Sequence, residues 1–318
     1  MFSSAEGALL TPVIFFDLFN RPLRVSELGQ LAHGIVLSDE AIGTLLAQLI
    51  SRGILIQTGE FVTLPGRVSI IEPWYERELS QRLLWAEAQA VISCLAGVPF
   101  VKLIAVVNSL ALHTANQGSD IDLMIVVAPG WLAVARDHLL ARLEILGRRA
   151  HKLPKQGKVF PDIILSTDRL ELSSWCLEPS DIYLDYWLAM LQPVIDRDGT
   201  YGKLIGANSW LGNTFPNWQS RSQFLIVPDA VRERHRKSWE LWYRSLPGKI
   251  MSAGQTVWHG QRMRKYKDKL GDTATVVITQ GQLRIHEPDK RPLYQQKFEA
   301  QWQTLEQATN LIPALVEA

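Results

Sequence analysis

Cysteine is nearly missing from this 318-residue chain. Cys94 and Cys176 are far apart and form no CxxC pair. A disulfide framework is therefore excluded, and two reduced, buried thiols in a cytoplasmic protein are the simplest expectation. Long apolar runs are absent too. The closest, residues 103–107, is followed by polar side chains and falls well short of the ~18 residues that cross a bilayer, so no membrane partner is expected. No basic stretch precedes the first apolar segment, which Glu6 and Asp17 flank, and no signal peptide is expected. The seven histidines include no HExxH pair, and the chain has no P-loop, GxGxxG or GxSxG, which argues against a zinc protease, a Walker-type NTPase, a dinucleotide-binding fold and a serine hydrolase. Asp196-Arg197-Asp198-Gly199 begins like a calcium loop, but the rest of that pattern is missing, and a turn is expected.

The composition is that of an ordinary globular protein, 47% hydrophobic and 20% charged. Its length suggests two or three units. The net charge of +1 hides a strong asymmetry: residues 1–66 carry three bases against six acids, whereas residues 221–269 carry twelve bases against four acids.

Residues 1–66 read as three helices and a hairpin, the pattern of a winged helix. The helices are expected over 13–19, from a Ser26 cap to Ala32, and from a Ser38 cap to Gly53, where Ala41, Leu45, Leu46, Leu49 and Ile50 make an apolar stripe. Strands over 54–57 and 61–64 flank Thr58-Gly59-Glu60. A winged helix reads DNA with its third helix, yet Arg52 is the only base there. Phosphate neutralisation needs clustered Lys and Arg, so packing or docking is expected rather than DNA binding. Residues 67–99 should form a connecting helix with Pro73 in its first turn and Leu84, Ala88, Val91, Ile92 and Leu95 on its apolar face.

Chemistry concentrates in residues 100–127. An apolar run, 100–107, reads as a buried strand ending at Asn108-Ser109. A short helical segment and a polar loop, 116–119, precede a second strand, 120–127. Side chains alternate along a strand, which sets Asp120 and Asp122 on one face about 7 Å apart, with Ile121, Leu123 and Ile125 on the other. Paired carboxylates repel unless a cation lies between them, and hard oxygen ligands suit Mg²⁺.

Asn108-Ser109, ten residues, then Asp120-Ile121-Asp122-Leu123 resembles the signature of the DNA polymerase β-like nucleotidyltransferase superfamily. The chain as a whole is more loosely similar to bacterial proteins that join an N-terminal winged helix to such a core, a likeness to which Asp181-Ile182-Tyr183-Leu184 and Ala207-Asn208-Ser209-Trp210 add. The resemblance implies that Asp120 and Asp122 bind Mg²⁺ and that Asn108 and Ser109 hold the phosphates of an NTP. It also implies a third carboxylate on a later strand, for which Asp162 is the candidate and Asp168 the weaker choice. The superfamily's glycine is replaced by Asn108, a residue that tolerates the left-handed region but whose side chain is expected to crowd the phosphates.

Between Arg148 and Lys158 there are five bases, His151 and no acid, and Lys158 is a candidate phosphate ligand beside Arg148, Arg149, Lys152 and Lys155, with an ordinary solvated loop the equal alternative. Arg136 is a further one. The basic segment 221–269 interleaves Trp239, Trp242, Tyr243, Trp258 and Tyr266. Three roles fit it: stacking with single-stranded nucleic acid, an ordinary solvated helix face, or docking on the acidic first unit of another copy in a homo-oligomer.

The expected architecture is α/β, more strictly α+β: a winged helix (1–66), a connecting helix (67–99), a nucleotidyltransferase-type mixed-sheet core (100–215) and a mainly helical C-terminal region (216–318). The expected function is Mg²⁺-dependent transfer of a nucleoside monophosphate from an NTP to an acceptor, whether small molecule, protein or RNA. The rival is a degenerate member of that fold acting as a nucleotide-binding or regulatory scaffold.

Overall fold

The computed structural model describes residues 2–150, 156–270, 275–279, 281–286 and 289–316. α1 (Ser4–Asp17) begins at Ser4 rather than Val13 because of a capping box, in which Ser3 N donates to Glu6 Oε2 (2.7 Å) and Glu6 N to Ser3 Oγ (3.2 Å). Pro12 lies inside this helix and has no N–H for the Ala8 carbonyl one turn back. His33 N fills that role from another segment, donating to Ala8 O at 3.1 Å.

β1 (Leu23–Arg24) and α2 (Val25–Leu31) follow, then α3 (Asp39–Ser51), whose cap Ser38 accepts from Ala41 N at 3.2 Å. β2 (Ile56–Thr58) and β3 (Phe61–Thr63) form the expected hairpin, and β1 pairs with β3, giving an antiparallel sheet of order β1-β3-β2. β1 was not expected: two residues are too few for a periodic signal. α4 (Ile71–Leu95) carries Pro73 in its first turn and buries all five residues of its expected stripe. Arg142 donates to the carbonyls of Cys94 (2.9 Å) and Gly97 (3.1 Å), and Arg197 to that of Ala96 (2.8 Å), so two cations satisfy acceptors that the helix end leaves open.

The main sheet is mixed, six-stranded and of order β7-β4-β5-β6-β9-β8. Its strands are β4 (Val101–Val106), β5 (Ile121–Val127), β6 (Val159–Ser166), β7 (Gln192–Asp196), β8 (Thr275–Ile278) and β9 (Gln282–His286). Among the strands described, β5 and β6 are the pair that runs parallel, and α6 (Leu132–Ile145) supplies the crossover that parallel neighbours require. One face packs on α1–α3 and on α7 (Ile182–Ala189), α8 (Thr200–Ala207) and α9 (Trp210–Thr214). The other packs on α4 and α6. The first unit is thus no separate body. Phe15 stacks on Tyr186 of α7 with centroids 4.4 Å apart, in a core continuous with Leu103, Ala105 and Met124.

The C-terminal region contains the expected helices, α10 (Ala230–Arg244), α11 (Leu246–Leu270) and α12 (Arg291–Val316), but it also contributes β8 and β9. β9 pairs with β6 and so extends the central sheet. These short strands take their stability from an edge formed about 120 residues earlier, which local pattern does not reveal. Cys94 is half-buried and Cys176 exposed, which corrects the expectation of two buried thiols; the buried position beside it belongs to Trp175. No helix among the described residues is long and apolar enough to cross a membrane.

His138 on α6 meets the Tyr243 hydroxyl of α10 at 3.1 Å. Burial, with Arg142 and His235 nearby, pushes its pKa down from 6.5 to about 4. A depressed folded-state pKa means that the neutral ring's contribution is complete above about pH 6.5 and is lost as pH falls towards 4. The thermal midpoint should therefore decline across that window, and His138→Gln should flatten part of the decline. An identical pH profile in the variant would assign the acid sensitivity to other groups.

Candidate functional site

β4 ends at Val106, and the chain turns at Asn108, whose φ of 55° is the left-handed conformation that asparagine tolerates, into the four-residue α5 (Asn108–Ala111). Val107 N donates to Asp122 O at 3.0 Å, so backbone joins the turn to the carboxylate strand. Asn108 Oδ1 accepts from the indole Nε1 of buried Trp187 on α7 at 2.8 Å, which ties the amide to α7, while the residue still lines the cavity described below.

Asn108→Gly would relax the positive φ but leave the Trp187 N–H without its acceptor, at a cost of about 1–3 kcal/mol, offset by up to ~1 kcal/mol from the freer backbone. Asn108→Ala would lose the acceptor and keep the strain. Thermal denaturation should therefore rank wild type above Gly and Gly above Ala. A glycine variant more stable than wild type would show that the indole bond contributes nothing.

The loop before Asp120 is closed by its own side chains: Asn116 N donates to Ser119 Oγ (2.9 Å) and Gly118 N to Asn116 Oδ1 (2.9 Å). Asp120 and Asp122 are half-buried. Ile121, Leu123 and Ile125 enter the core shared with α4 and α6, while Met124 and Val126 enter the opposite one. That is the alternation expected of β5.

Asp162 reaches the same space by a different device. Asp122 pairs with Phe160 and Met124 with Ile163, so Leu123 alone opposes both Pro161 and Asp162. Such a bulge re-aims side chains. Regular alternation back from Ile163, which packs with Met124, would have turned Asp162 to the other face.

Asn108, Ser109, Asp120, Asp122 and Asp162 all line one cavity of about 1210 Å³. Lys158 does not. Its ammonium donates to Gly147 O at 2.6 Å, while its backbone carbonyl accepts from Ile121 N at 2.8 Å. The residue thus secures the start of β5 with its backbone, while its ammonium, expected on phosphate, lies outside the cavity lining on a local carbonyl. Asp168 is also absent from the lining and accepts from the Ser166 hydroxyl. His151, Lys152 and Lys155 lie outside the described residues.

The rest of the lining was only partly foreseen. Arg136 and Arg149 are there, joined by Arg262 and Lys265 of α11, which the sequence marked as basic without placing them at the site. Lys290, Tyr183 and Tyr294 also line it, and the two tyrosine rings stack at 5.3 Å. Burial, Tyr294 and the charge of Asp122 raise the Tyr183 pKa, keeping the phenol protonated. The spacing of Trp258, Gln261, Arg262, Lys265 and Tyr266 was a usable signal, since those positions share one helix face. For Lys290 and Tyr294 there was none.

Among the described residues, no three His, Cys, Asp or Glu side chains stand close enough to hold a metal ion by themselves. Mg²⁺ commonly uses one or two carboxylates and completes its shell with water and substrate phosphates. Asp120 and Asp122, with Asp162 on the neighbouring strand, are the carboxylates that could contribute to such a shell. Comparison with family models, with curated proteins and with solved structures finds no match for this chain.

Proposed function

We propose that this protein is a Mg²⁺-dependent nucleotidyltransferase that moves a nucleoside monophosphate from an NTP to an acceptor hydroxyl and releases pyrophosphate. The observation that carries the reading is the opening of the Asn108-Ser109 turn and the three aspartates into a single large cavity whose lining also includes the cations Arg136, Arg149, Arg262, Lys265 and Lys290, beside Asp289 and several aromatic rings. In this reading the Asn108-Ser109 turn seats the triphosphate, and Asp120 and Asp122 hold the ion. Bound there, Mg²⁺ supplies charge neutralisation on the phosphates and lowers the pKa of the attacking hydroxyl. Asp162 accepts the hydroxyl proton, and the lining cations offset the charge that builds up on the departing pyrophosphate.

The same reading takes residues 1–66 as a winged helix, supported by three helices around a sheet of order β1-β3-β2. DNA is not its partner in this proposal. Arg21 pairs with Glu27, Arg24 with Glu60 and Glu78, and Arg52 with Glu6, so each of its three bases is already engaged. The exposed face of α3 presents Asp39, Glu40, Thr44, Gln48 and Ser51.

The decisive experiment incubates the full-length protein with each α-labelled NTP, Mg²⁺ and cell extract. Transfer of label to an acceptor is the expected result. Mg·NTP binding without transfer would favour a nucleotide-binding scaffold, and no Mg·NTP binding at all would overturn the transferase and leave only a regulatory scaffold.

A further inference from the structure

The cavity wall on α6 and α11 carries a charge imbalance. Arg136, on α6, and Arg262 and Lys265, on α11, all line it. Nε and Nη1 of Arg136 are buried and make no hydrogen bond among the described residues. Asp137, beside it in sequence, is already engaged by Gln255 Nε2 at 3.1 Å. Burial and the Arg262 charge lower the Arg136 pKa to about 10, and burial with the fields of Arg136 and Arg262 holds neighbouring His259 down to about 4. Arg262 is itself oriented over the Trp258 ring, 5.1 Å from its centroid. The charge of Asp137 offsets only part of the burial of Arg136, and buried N–H donors left without an acceptor cost stability, so the arrangement makes physical sense when a ligand brings the anion.

Size points the same way. Pockets for a single small ligand run to roughly 300–1000 Å³, and about 1210 Å³ leaves room beyond one nucleotide. Guanidinium groups present paired N–H donors that match phosphate oxygens, and a second and third cation suit a group of more than one negative charge.

We propose that Arg136, Arg262 and Lys265 form a metal-independent phosphate subsite, separate from the aspartates that open into the same cavity. The inference deepens the nucleotidyltransferase reading and rests on it for the subsite's role. The phosphate comes either from a phosphorylated acceptor or from the terminal phosphates of the NTP.

The test uses the full-length protein and pyrophosphate in EDTA, read by calorimetry and by thermal shift. Without Mg²⁺ the aspartates repel the probe, which isolates the cationic subsite. Wild type should bind and gain thermal stability. Arg136→Met should weaken binding at least tenfold while its ligand-free midpoint stays level or rises, because two buried donors without acceptors are gone. The double variant Arg262→Ala/Lys265→Ala, at exposed positions, should weaken binding similarly without a change in midpoint, and it carries the test should the Met variant fail to fold. Absence of Mg²⁺-free binding in wild type, or binding that survives the variants, would overturn the proposal. So would a folded Arg136→Met protein that melts lower than wild type, since the guanidinium would then be structural.

Repeating the titration with wild type saturated by Mg²⁺ and a non-hydrolysable NTP separates the sources. Retained binding assigns the subsite to the acceptor, and lost binding assigns it to the NTP tail. Asp120→Asn keeps the two readings apart, because it should keep the pyrophosphate site in EDTA while losing Mg·NTP. A variant that kept both would sink the nucleotidyltransferase reading and leave the phosphate subsite standing.

Discussion

Asp120→Asn should abolish measurable Mg²⁺-dependent NTP binding and lower any transfer activity by roughly 100- to 1000-fold, the scale of losing one charge-stabilising group in an active site. Asparagine keeps the shape of the side chain while removing the charge that Mg²⁺ needs. Asp120 is half-buried at the mouth of β5, on the same face as Asp122. Without a metal the two carboxylates repel, so the variant's melting temperature should equal or slightly exceed that of wild type. That opposite movement of binding and stability separates a ligand-binding carboxylate from a structural one. Equilibrium dialysis of Mg·NTP alongside thermal denaturation provides both readouts. Unchanged affinity would remove the aspartate pair from the site, and a large loss of stability would make Asp120 a turn-capping residue instead.

Arg291→Ala should cost about 3–5 kcal/mol, the penalty for breaking a buried ion pair by removing one partner. Arg291 Nη1 donates to Asp181 Oδ2 and to the Trp175 carbonyl, and Nη2 donates to Asp289. The Asp181 side chain is only 1% exposed. Asp181 also caps α7 through Leu184 N at 2.9 Å, so the pair connects the first turn of α12 to the helix that carries Trp187, the anchor of the Asn108 turn. Burial already raises the Asp181 pKa against the opposing effect of Leu184 N–H and Arg291. A raised folded-state pKa means that the penalty is least in acid, where the carboxyl is neutral, and grows as pH rises through that pKa. Urea titrations at pH 4 and pH 7 should show the larger loss at pH 7. Asp181→Asn combined with Arg291→Met should be milder than Arg291→Ala, since it leaves no charge at the fully buried Asp181 position. A double variant as damaged as the sum of its parts would mean that the pair is not coupled.

Much of the site was legible because it is local. Strand alternation sets Asp120 and Asp122 on one face whatever else the chain does, and the Ile-Leu-Ile positions between and after them bury the strand in only one register. The left-handed turn at Asn108 was foreseeable from the few residue types that accept positive φ. Its side-chain direction was not. The acceptor it provides is claimed by Trp187, 79 residues away in sequence, and no local pattern records such a pairing. Nor does a basic run record what its side chains meet: the Lys158 ammonium, expected on phosphate, rests on the Gly147 carbonyl.

The Ser38 start of α3, the hairpin of the first unit, the apolar face of α4 and the order of β4, α5 and β5 follow from the sequence, because capping, periodicity and alternation act over a few residues. By contrast, α1 starts nine residues earlier than expected, and α3 buries Ile42 with Leu46 and Leu49 rather than the whole expected stripe. Tertiary structure alone decided the rest. It fused the first unit to the sheet through the Phe15–Tyr186 stack, and it inserted β9 beside β6. It bulged β6 so that Asp162 faces the cavity, and it brought Arg262 and Lys265 of α11 to the cavity that the aspartates line. Each of these depends on which distant surfaces bury the most apolar area together, a choice that belongs to the whole chain and to no single segment of it.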